Sequence, residues 1–214
     1  MTSHPEIQRA NRWGLPDAAQ IEFVLPDVVT IVAPGPNGKP FWQFVTGRVI
    51  CVNAAITIPV HVAPFLDDIW IVADGNAART GWFNWGCESF RGIKIFSEAI
   101  HQRSEYKGDY TFWMYPNHPD QVEEFLKLPH AVDPDFFRPT ETVTGIAIEF
   151  AVRRGARQIN LVGVDMEGGY FNDPPDLIRD TINSYMRNSL QREIEYFQGQ
   201  GIKFTAMSPT VLKL

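Results

Sequence analysis

The feature that most constrains this chain is a series of short apolar runs that end in glycine, proline or asparagine. The first run, Val28 to Ala33, breaks into Pro34-Gly35-Pro36-Asn37-Gly38-Lys39-Pro40, and a second, Val49 to Val52, ends on Asn53. Runs that are apolar at successive residues, rather than at alternate ones, are typical of strands covered on both faces of a parallel sheet. In such sheets the loops that follow the strands are where ligands bind.

Further runs of this kind recur along the chain with turn residues between them. The predicted strands are Val28 to Ala33, Arg48 to Asn53, Ile69 to Asp74, Ile93 to Phe96, Tyr110 to Tyr115, Gln158 to Val164 and Ile202 to Ala206. Thr140 or Thr142 is expected to cap a helix that runs to Arg154 and ends at Gly155. A second helix is predicted from near Pro175 and Asp176 to about Gln198, because apolar residues recur there at spacings of three and four.

This alternation of strands and helices predicts an α/β fold: a single Rossmann-like domain with a mostly parallel sheet flanked by helices. A chain of 214 residues with 44% hydrophobic content is long enough for one substantial core. Residues 1–27 carry little periodicity and are expected to form an N-terminal arm packed on the outside. Residues 28–214 are expected to form the Rossmann-like domain.

Charge and composition narrow the class of partner. The net charge is −6, and lysine and arginine are scattered rather than clustered, so a nucleic-acid partner is not expected. No apolar run reaches the roughly 18 residues that cross a bilayer, and the first residues do not resemble a signal peptide, which favours a cytoplasmic protein. Of the two cysteines, Cys51 is expected in the core and Cys87 in an aromatic loop, both as reduced thiols.

The predicted strand ends carry groups suited to an anion. Gly35 and Gly38 allow close approach and expose backbone N–H groups, which suits a phosphate or a carboxylate. The start of the first helix, Thr142-Val143-Thr144-Gly145, adds hydroxyls and backbone donors at the positive end of the helix dipole. A glycine-proline stretch is also a common simple turn, so this loop alone does not decide between the two.

Amide and carboxylate side chains follow three other strands. Asn53 and Asn76 offer donors and acceptors for a base or a ribose. Asp74 and Asp165 are the candidate catalytic residues, because they could hold a hydroxyl, a cation or a metal-bound phosphate. An aspartate after a strand also commonly caps the next helix.

Aromatic residues follow the third strand. Trp82 and Trp85 come soon after Asp74-Gly75-Asn76 and could form one wall of a ligand crevice, stacking on a sugar or a pterin. Packing in the core is the commoner use of such residues. Both interpretations stay open from the sequence.

The order of these motifs resembles a known clan. The motifs are Ala33-Pro34-Gly35-Pro36-Asn37-Gly38, Cys51-Val52-Asn53, Thr142-Val143-Thr144-Gly145, the run Gly155 to Asp165, and Ala206-Met207-Ser208-Pro209. Over about residues 28 to 212 they resemble the Rossmann-type clan of bacterial CMP-sialic-acid-dependent sialyltransferases and archaeal hydroxymethylpterin diphosphokinase-like proteins. The resemblance is most specific in the final third, where a helix that begins with hydroxyl residues and glycine leads to a strand ending Gly-x-Asp.

The resemblance implies a nucleotide site and a function. It implies nucleotide contacts by the glycine-proline loop, the asparagine after the second strand, the hydroxyl residues at the helix start and the Gly-x-Asp strand end. In this chain those positions are Gly35, Pro36, Asn53, Thr144, Gly163 and Asp165. The expected function is that of a glycosyltransferase-like protein that binds a nucleotide or nucleotide-sugar donor without an intrinsic metal, in surface polysaccharide synthesis.

The general base is unassigned at this level. Sialyltransferases of the clan use a histidine between the Gly-x-Asp strand and the last strand, and this chain has no histidine after His130. A base matters because taking the acceptor's proton typically contributes about 10² to 10⁴ in rate. Asp165, Glu167, Asp173 and His118 are the alternatives.

Two other functions remain open. A Mg²⁺-dependent diphosphotransferase would place Asp74 and Asp165 on the metal, as two carboxylates at neighbouring strand ends. Alternatively, a non-catalytic member of the clan would keep the crevice and bind only a ligand or a partner.

Overall fold

The sheet has seven parallel strands and is the framework of the molecule. The computed structural model describes residues 14–18, 21–45, 47–58, 68–112, 142–166 and 180–214, with side chains from residue 186 onward in the last range. The strands are β1 (Val28–Val32), β2 (Arg48–Val52), β3 (Ile69–Val72), β4 (Ile93–Ser97), β5 (Tyr110–Phe112), β6 (Gln158–Val162) and β7 (Lys203–Ala206). Their order across the sheet is β5-β4-β3-β2-β1-β6-β7. The parallel sheet is confirmed, and a strand is found at each of the seven predicted places, although residues 113–115 of the predicted strand Tyr110 to Tyr115 lie outside the described residues.

Helices and 3₁₀ segments connect the described strands. The helices are α1 (Gly81–Ser89), α2 (Glu98–His101), α3 (Val143–Arg153) and α4 (Asp180–Gly199), and the 3₁₀ segments are Pro36–Phe44, Asn53–Thr57 and Gly75–Arg79. Of the two caps that the sequence allows for α3, Thr140 and Thr142, the structure shows Thr142, whose side chain accepts a hydrogen bond from the Gly145 N–H. Gly155 follows the end of α3 with φ +106°, a left-handed conformation that suits glycine. The predicted start of the last helix near Pro175 lies outside the described residues.

Helix α1 corrects the expectation that Cys87 lies in an aromatic loop. Gly81 to Ser89 form a regular helix, and Cys87 is in its last turn. The two glycines within this segment favour a loop in isolation, but burial overrides that preference. The helix places Phe83 fully inside the core and sets Gly86 directly against the Trp70 ring, where a Cβ would lie 2.6 Å from it.

Each face of the sheet carries its own hydrophobic core. On the first face, α3 and α4 pack with Ile31, Ile50 and Ile69 among the strand residues. On the second face, α1, α2 and the 3₁₀ segments pack around Trp70 and Phe96. Because both faces are covered, the strands must be apolar at successive residues, as the sequence shows.

The connections change face between two neighbouring strands. From β1 the chain continues into the 3₁₀ segment Pro36–Phe44, whose Trp42 packs on the second face. From β6 it reaches α4, whose Leu190 and Ile194 pack on the first face. Since β1 and β6 are hydrogen-bonded neighbours, the topological switch point of the sheet lies between their carboxyl ends. In open α/β sheets this is where ligands bind.

The described part of residues 14–27 belongs to the same core. Ala18, Ile21 and Leu25 are buried within the cluster on the first face. Asp17 pairs with Thr111 beside β5, so the chain covers that edge of the sheet. This segment therefore contributes core residues in addition to covering the outside. The division of the chain at residue 27 stays a prediction.

Both cysteines are free thiols, as predicted. Cys51 is fully buried, and its burial raises the pKa of the thiol well above the usual value. Burial also raises the pKa of Cys87 to about 12. Neither thiol is therefore expected to ionise near neutral pH. Among the helices of the described residues, none is both long and apolar enough to cross a bilayer.

The buried His101 in α2 predicts a pH-dependent stability. Burial, and secondarily the charge of Lys107, lower the pKa of His101 from 6.5 to about 4. Between pH 6.5 and 4 the imidazole is protonated in the unfolded chain but neutral in the folded chain. The free energy of unfolding is therefore highest above pH 6.5 and falls as the pH drops towards 4. In His101→Gln the loss of stability between pH 6.5 and 4, measured by urea unfolding, should be smaller than in the wild type by on the order of 3 kcal/mol. An unchanged pH dependence in the variant would contradict this assignment.

Candidate functional site

The loops after β1 and β6 touch each other through their backbones at the switch point. The Gly35 N–H donates to the Gly163 carbonyl oxygen at 2.8 Å. A Cβ on Gly35 would lie 2.3 Å from that oxygen, and a Cβ on Gly38 would lie 2.6 Å from the Gly163 Cα. Gly163 itself has φ +67°, a conformation that favours glycine. The three glycines are therefore required because the two loops pack backbone against backbone.

The side chain of Asp165 joins the same two loops. Its Oδ2 accepts a hydrogen bond from the Asn37 N–H at 2.6 Å, although the two residues are 128 positions apart in sequence. Asp165 is only 3% exposed. A buried carboxylate that accepts from a backbone amide is a strong, charge-assisted contact. Asp165 thus holds the glycine-proline loop against β6.

These contacts correct the expectation that the glycine-proline loop presents its N–H groups to an anion. The N–H groups of Gly35, Asn37 and Gly38 donate to the Gly163 oxygen, the Asp165 carboxylate and the Gly35 oxygen, respectively. Each of these three donors already has a protein acceptor. Pro36 and the Asn37 side chain remain exposed at this edge.

The segment after β7 holds the β6 loop from its other side. The Ser208 hydroxyl accepts from the Gly163 N–H at 2.9 Å, and the Thr210 hydroxyl donates to the Val164 oxygen at 2.6 Å. Ser208 is buried. These residues position Gly163 and Asp165 although they lie more than 40 residues away in sequence. The conformation of the β6 loop is thus set by both the first and the last part of the described fold.

Asn53 ends β2 in a left-handed conformation, with φ +48°. Among the described non-glycine residues only Asn53 and Met166 have positive φ, and both follow strands that neighbour β1. Such conformations are uncommon for residues with a side chain, and they concentrate at functional sites. The Asn53 carbonyl oxygen accepts a hydrogen bond from the Trp70 indole nitrogen at 3.0 Å.

The N-terminus of α3 lies at the same edge of the sheet. Its C-terminal end is at the amino edge, because the Leu25 N–H donates to the Arg154 oxygen just before β1 begins. Eleven helical residues span about 16 Å, similar to a five-residue strand, so the helix begins at the carboxyl edge. Thr142, Thr144 and Gly145 are all buried there. The N–H groups of Val143 and Thr144 have no acceptor among the described residues, as the first turn of a helix requires.

Asp74 and Asn76 form a separate group at the end of β3. The Asp74 side chain accepts from the Asn76 N–H at 2.8 Å and so caps the 3₁₀ segment. The Asn76 side chain accepts from the Arg103 guanidinium at 2.7 Å. Arg103 therefore brings a cationic side chain to the end of β3. Both Asp74 and Asn76 are exposed.

The sheet order corrects the expectation that Asp74 and Asp165 lie at neighbouring strand ends. They follow β3 and β6, which are separated by β2 and β1. Three interstrand steps amount to about 14 Å, whereas two oxygens that bind one cation lie within about 5 Å of each other. In the described part of the chain, no group of three His, Cys, Asp or Glu side chains could hold a metal ion. A single metal ion shared by these two carboxylates is therefore wrong for this fold, whereas the diphosphotransferase alternative stays a prediction.

The aromatic residues of α1 divide between packing and exposure. Trp82 is half-buried and packs edge-on against Trp70, with ring centroids 6.4 Å apart. This contact favours the packing interpretation for Trp82. Trp85 is 38% exposed, so it remains available to a ligand.

Three residues of this region were missed by the sequence reasoning. Trp70 reaches Asn53 from the neighbouring strand, Arg103 reaches Asn76 from the turn after α2, and Thr210 reaches the β6 loop from the C-terminal segment. Nothing local marks the first two, because their partners are distant in sequence. Hydroxyl residues after the last strand are a signal for Thr210. His118, Glu167 and Asp173 lie outside the described residues.

Comparisons with known proteins return solved structures alone. No protein-family model matches the chain, and no curated protein matches it. A structure of the sialyltransferase CST-II with a trisaccharide acceptor and CMP overlaps with a TM-score of 0.49 and 14% identity, over 85% of this chain and 81% of that one. The monofunctional α-2,3-sialyltransferase Cst-I of Campylobacter jejuni overlaps with a TM-score of 0.48 and 12% identity, over 90% and 83%. At these values the overlap does not bear on ligand or activity.

The backbone contact at the switch point predicts that glycine is required there. Gly35→Ala places a Cβ against the Gly163 oxygen, and separating the loops should cost about 3 kcal/mol or more of unfolding free energy. Gly81→Ala is the matched control, because a Cβ at the start of α1 meets nothing within 4 Å. It should be neutral or stabilising by up to about 1 kcal/mol. Equal effects of the two substitutions in urea unfolding would contradict the contact.

The different burial of Asp165 and Asp74 predicts that their substitutions differ in their effect on stability. Asp165→Ala removes a buried carboxylate, leaves the part-buried Asn37 N–H without its acceptor and should destabilise by about 2–3 kcal/mol, whereas Asp165→Asn keeps an acceptor oxygen and should cost less. Asp74→Ala removes an equivalent but exposed contact and should cost about 1 kcal/mol or less. Urea midpoints of the three variants check the order. A larger loss of unfolding free energy in Asp74→Ala than in Asp165→Ala would contradict the inference that Asp165 holds the glycine-proline loop against β6.

Proposed function

We propose that the carboxyl edge of the sheet around β1, β2 and β6 binds a nucleotide, and that the protein is a glycosyltransferase-like protein that uses a nucleotide-sugar donor. The observation that carries this proposal is the switch point itself, where connections leave two adjacent parallel strands towards opposite faces. That arrangement opens a crevice outside the strand ends. The resemblance of the motifs to sialyltransferases adds the chemistry of the donor and the setting of surface polysaccharide synthesis.

The phosphate of the donor is proposed to bind at the start of α3. The loop after β1 uses its N–H groups within the protein, whereas Val143 and Thr144 keep theirs unpaired among the described residues. A helix N-terminus also carries a partial positive charge that stabilises an anion. The net charge of −6 makes such a local positive site more important for holding a phosphate.

The base or ribose is proposed to contact Asn53. Its left-handed backbone turns the chain sharply at the end of β2, next to the glycine-proline loop that follows β1. The Asn53 Oδ1 atom is buried, so we propose that the amide NH₂ group donates to the base or to a ribose oxygen. The exposed Asn37 is placed at the same edge by its own contact with Asp165.

Glycosyl transfer also requires a general base for the acceptor hydroxyl. The carboxylate of Asp165 accepts from Asn37 and is buried, and that of Asp74 caps a 3₁₀ segment three strands away. We therefore assign Asp165 a structural role in shaping the crevice rather than the role of base. The base is proposed to come from His118, Glu167 or Asp173.

Binding of nucleotides tests the proposal. CMP, CDP, UDP, GDP, AMP and ATP are titrated by calorimetry, each with and without Mg²⁺, and stabilisation is followed by thermal shift. We expect CMP or another pyrimidine nucleotide to bind without Mg²⁺. Asn53→Gly keeps the left-handed backbone but removes the amide, so it should weaken binding about tenfold or more, with a smaller loss of stability than Asn53→Ala.

Two control variants remove an amide and a hydroxyl at exposed positions outside the proposed site. Asn84→Ala deletes an exposed amide on α1, and Thr205→Val deletes an exposed hydroxyl on β7. Both should bind as the wild type does, whereas Thr144→Val, which deletes the hydroxyl at the start of α3 and keeps the N–H group, should bind more weakly. No binding of any nucleotide would overturn the proposal and favour a non-catalytic member of the clan. Binding that Asn53→Gly and Thr144→Val leave unchanged would place the site elsewhere.

A further inference from the structure

Trp70 connects the core of the second face to the proposed crevice. Its side chain is fully buried, and four aromatic rings surround it at centroid distances of 5.1 to 6.4 Å: Trp82, Phe83, Phe90 and Phe96. The missing side chain of Gly86 completes the enclosure, since a Cβ there would lie 2.6 Å from the indole ring. The orientation of the Trp70 ring is thus determined on every side by packing.

The polar atom of this ring reaches the end of the neighbouring strand. The Trp70 indole nitrogen donates to the Asn53 carbonyl oxygen at 3.0 Å. Trp70 of β3 lies opposite Cys51 of β2, and Cys51 precedes Asn53 by two residues. A tryptophan N–H is a donor only, so this contact is the one hydrogen bond that the ring can make.

The acceptor belongs to the residue with the unusual backbone. Asn53 adopts φ +48° and starts the 3₁₀ segment that turns the chain away from β2. The left-handed conformation costs free energy for residues with a Cβ, so it persists when surrounding contacts stabilise it. A rigid donor aimed at the Asn53 carbonyl is a contact of this kind.

We infer that Trp70 is a positioning residue for the crevice: its indole N–H holds the left-handed turn at Asn53 and thereby sets the direction of the Asn53 amide towards the ligand. This inference depends on the proposed function, because Asn53 matters here as a nucleotide contact. It adds a residue that never touches the ligand and that lies beneath the site on the second face.

Affinity separates this role from ordinary packing. In Trp70→Phe the ring is smaller and has no donor, and the affinity for CMP should fall about tenfold, measured by calorimetry well below the unfolding temperature. Phe90→Leu is the packing control, since Phe90 contacts the Trp70 ring but leaves the indole donor in place. It should lower the unfolding temperature and keep the affinity within about twofold of the wild type.

An isosteric replacement tests the same hydrogen bond in case Trp70→Phe does not fold. Benzothienylalanine at position 70 keeps the shape of the indole and replaces only the N–H by sulfur. We expect the same loss of affinity as in Trp70→Phe. Within the Asn53→Gly background, removal of the indole N–H should change affinity less than twofold, because the amide that it positions is absent.

The NMR signal of the Trp70 indole N–H provides a measurement that a change in packing stability alone would not alter. In ¹⁵N-labelled protein the Trp70 indole N–H peak, identified by its loss in Trp70→Phe, should shift when CMP is added and in Asn53→Gly without ligand. If the wild type binds CMP and the benzothienylalanine protein binds it equally well, the inference fails while the proposed function stands. If the wild type binds no nucleotide, the proposed function fails and the inference falls with it.

Discussion

The backbone contact between the loops after β1 and β6 is the constraint on which the rest of the site depends. Gly35, Gly38 and Gly163 let two chain segments approach more closely than any Cβ would permit. The Asp165 carboxylate then joins them through the Asn37 N–H. Because the two strands send their connections to opposite faces, this junction lies at the floor of the proposed crevice.

Because the junction uses the N–H groups of its own loops, a ligand at this edge is expected to contact the neighbouring elements instead. Glycines in a strand-end loop commonly expose N–H groups to an anion, but here those donors hold the loops together. The N–H groups of Val143 and Thr144, at the start of α3, have no acceptor among the described residues, and the left-handed Asn53 is at the end of β2. A nucleotide bound at this edge would thus lie above a rigid floor and contact the elements beside it.

Core packing and site geometry are coupled on the second face. The aromatic cluster around Trp70 stabilises α1 and α2 against the sheet, and the same ring donates to Asn53. Packed interiors transmit displacements because they contain few voids. Substitutions that remove or displace the Trp70 indole N–H are therefore expected to affect the proposed crevice, even though the ring is buried below it. On the first face, α3 has the corresponding role, since its packing places Thr142 at the sheet edge.

The sequence alone determined the seven strands, the parallel sheet and a helix capped at Thr140 or Thr142, because burial on both faces and local capping leave patterns in neighbouring residues. It also placed polar residues at the strand ends. The tertiary structure decided which of them meet: strand order separates Asp74 from Asp165 and brings Asp165 to Asn37. Helix α1 and the Trp70 contact also depended on packing between segments far apart in the chain. Local patterns encode which face of an element is buried, whereas the pairing of strands is set by the free energy of the whole assembled sheet.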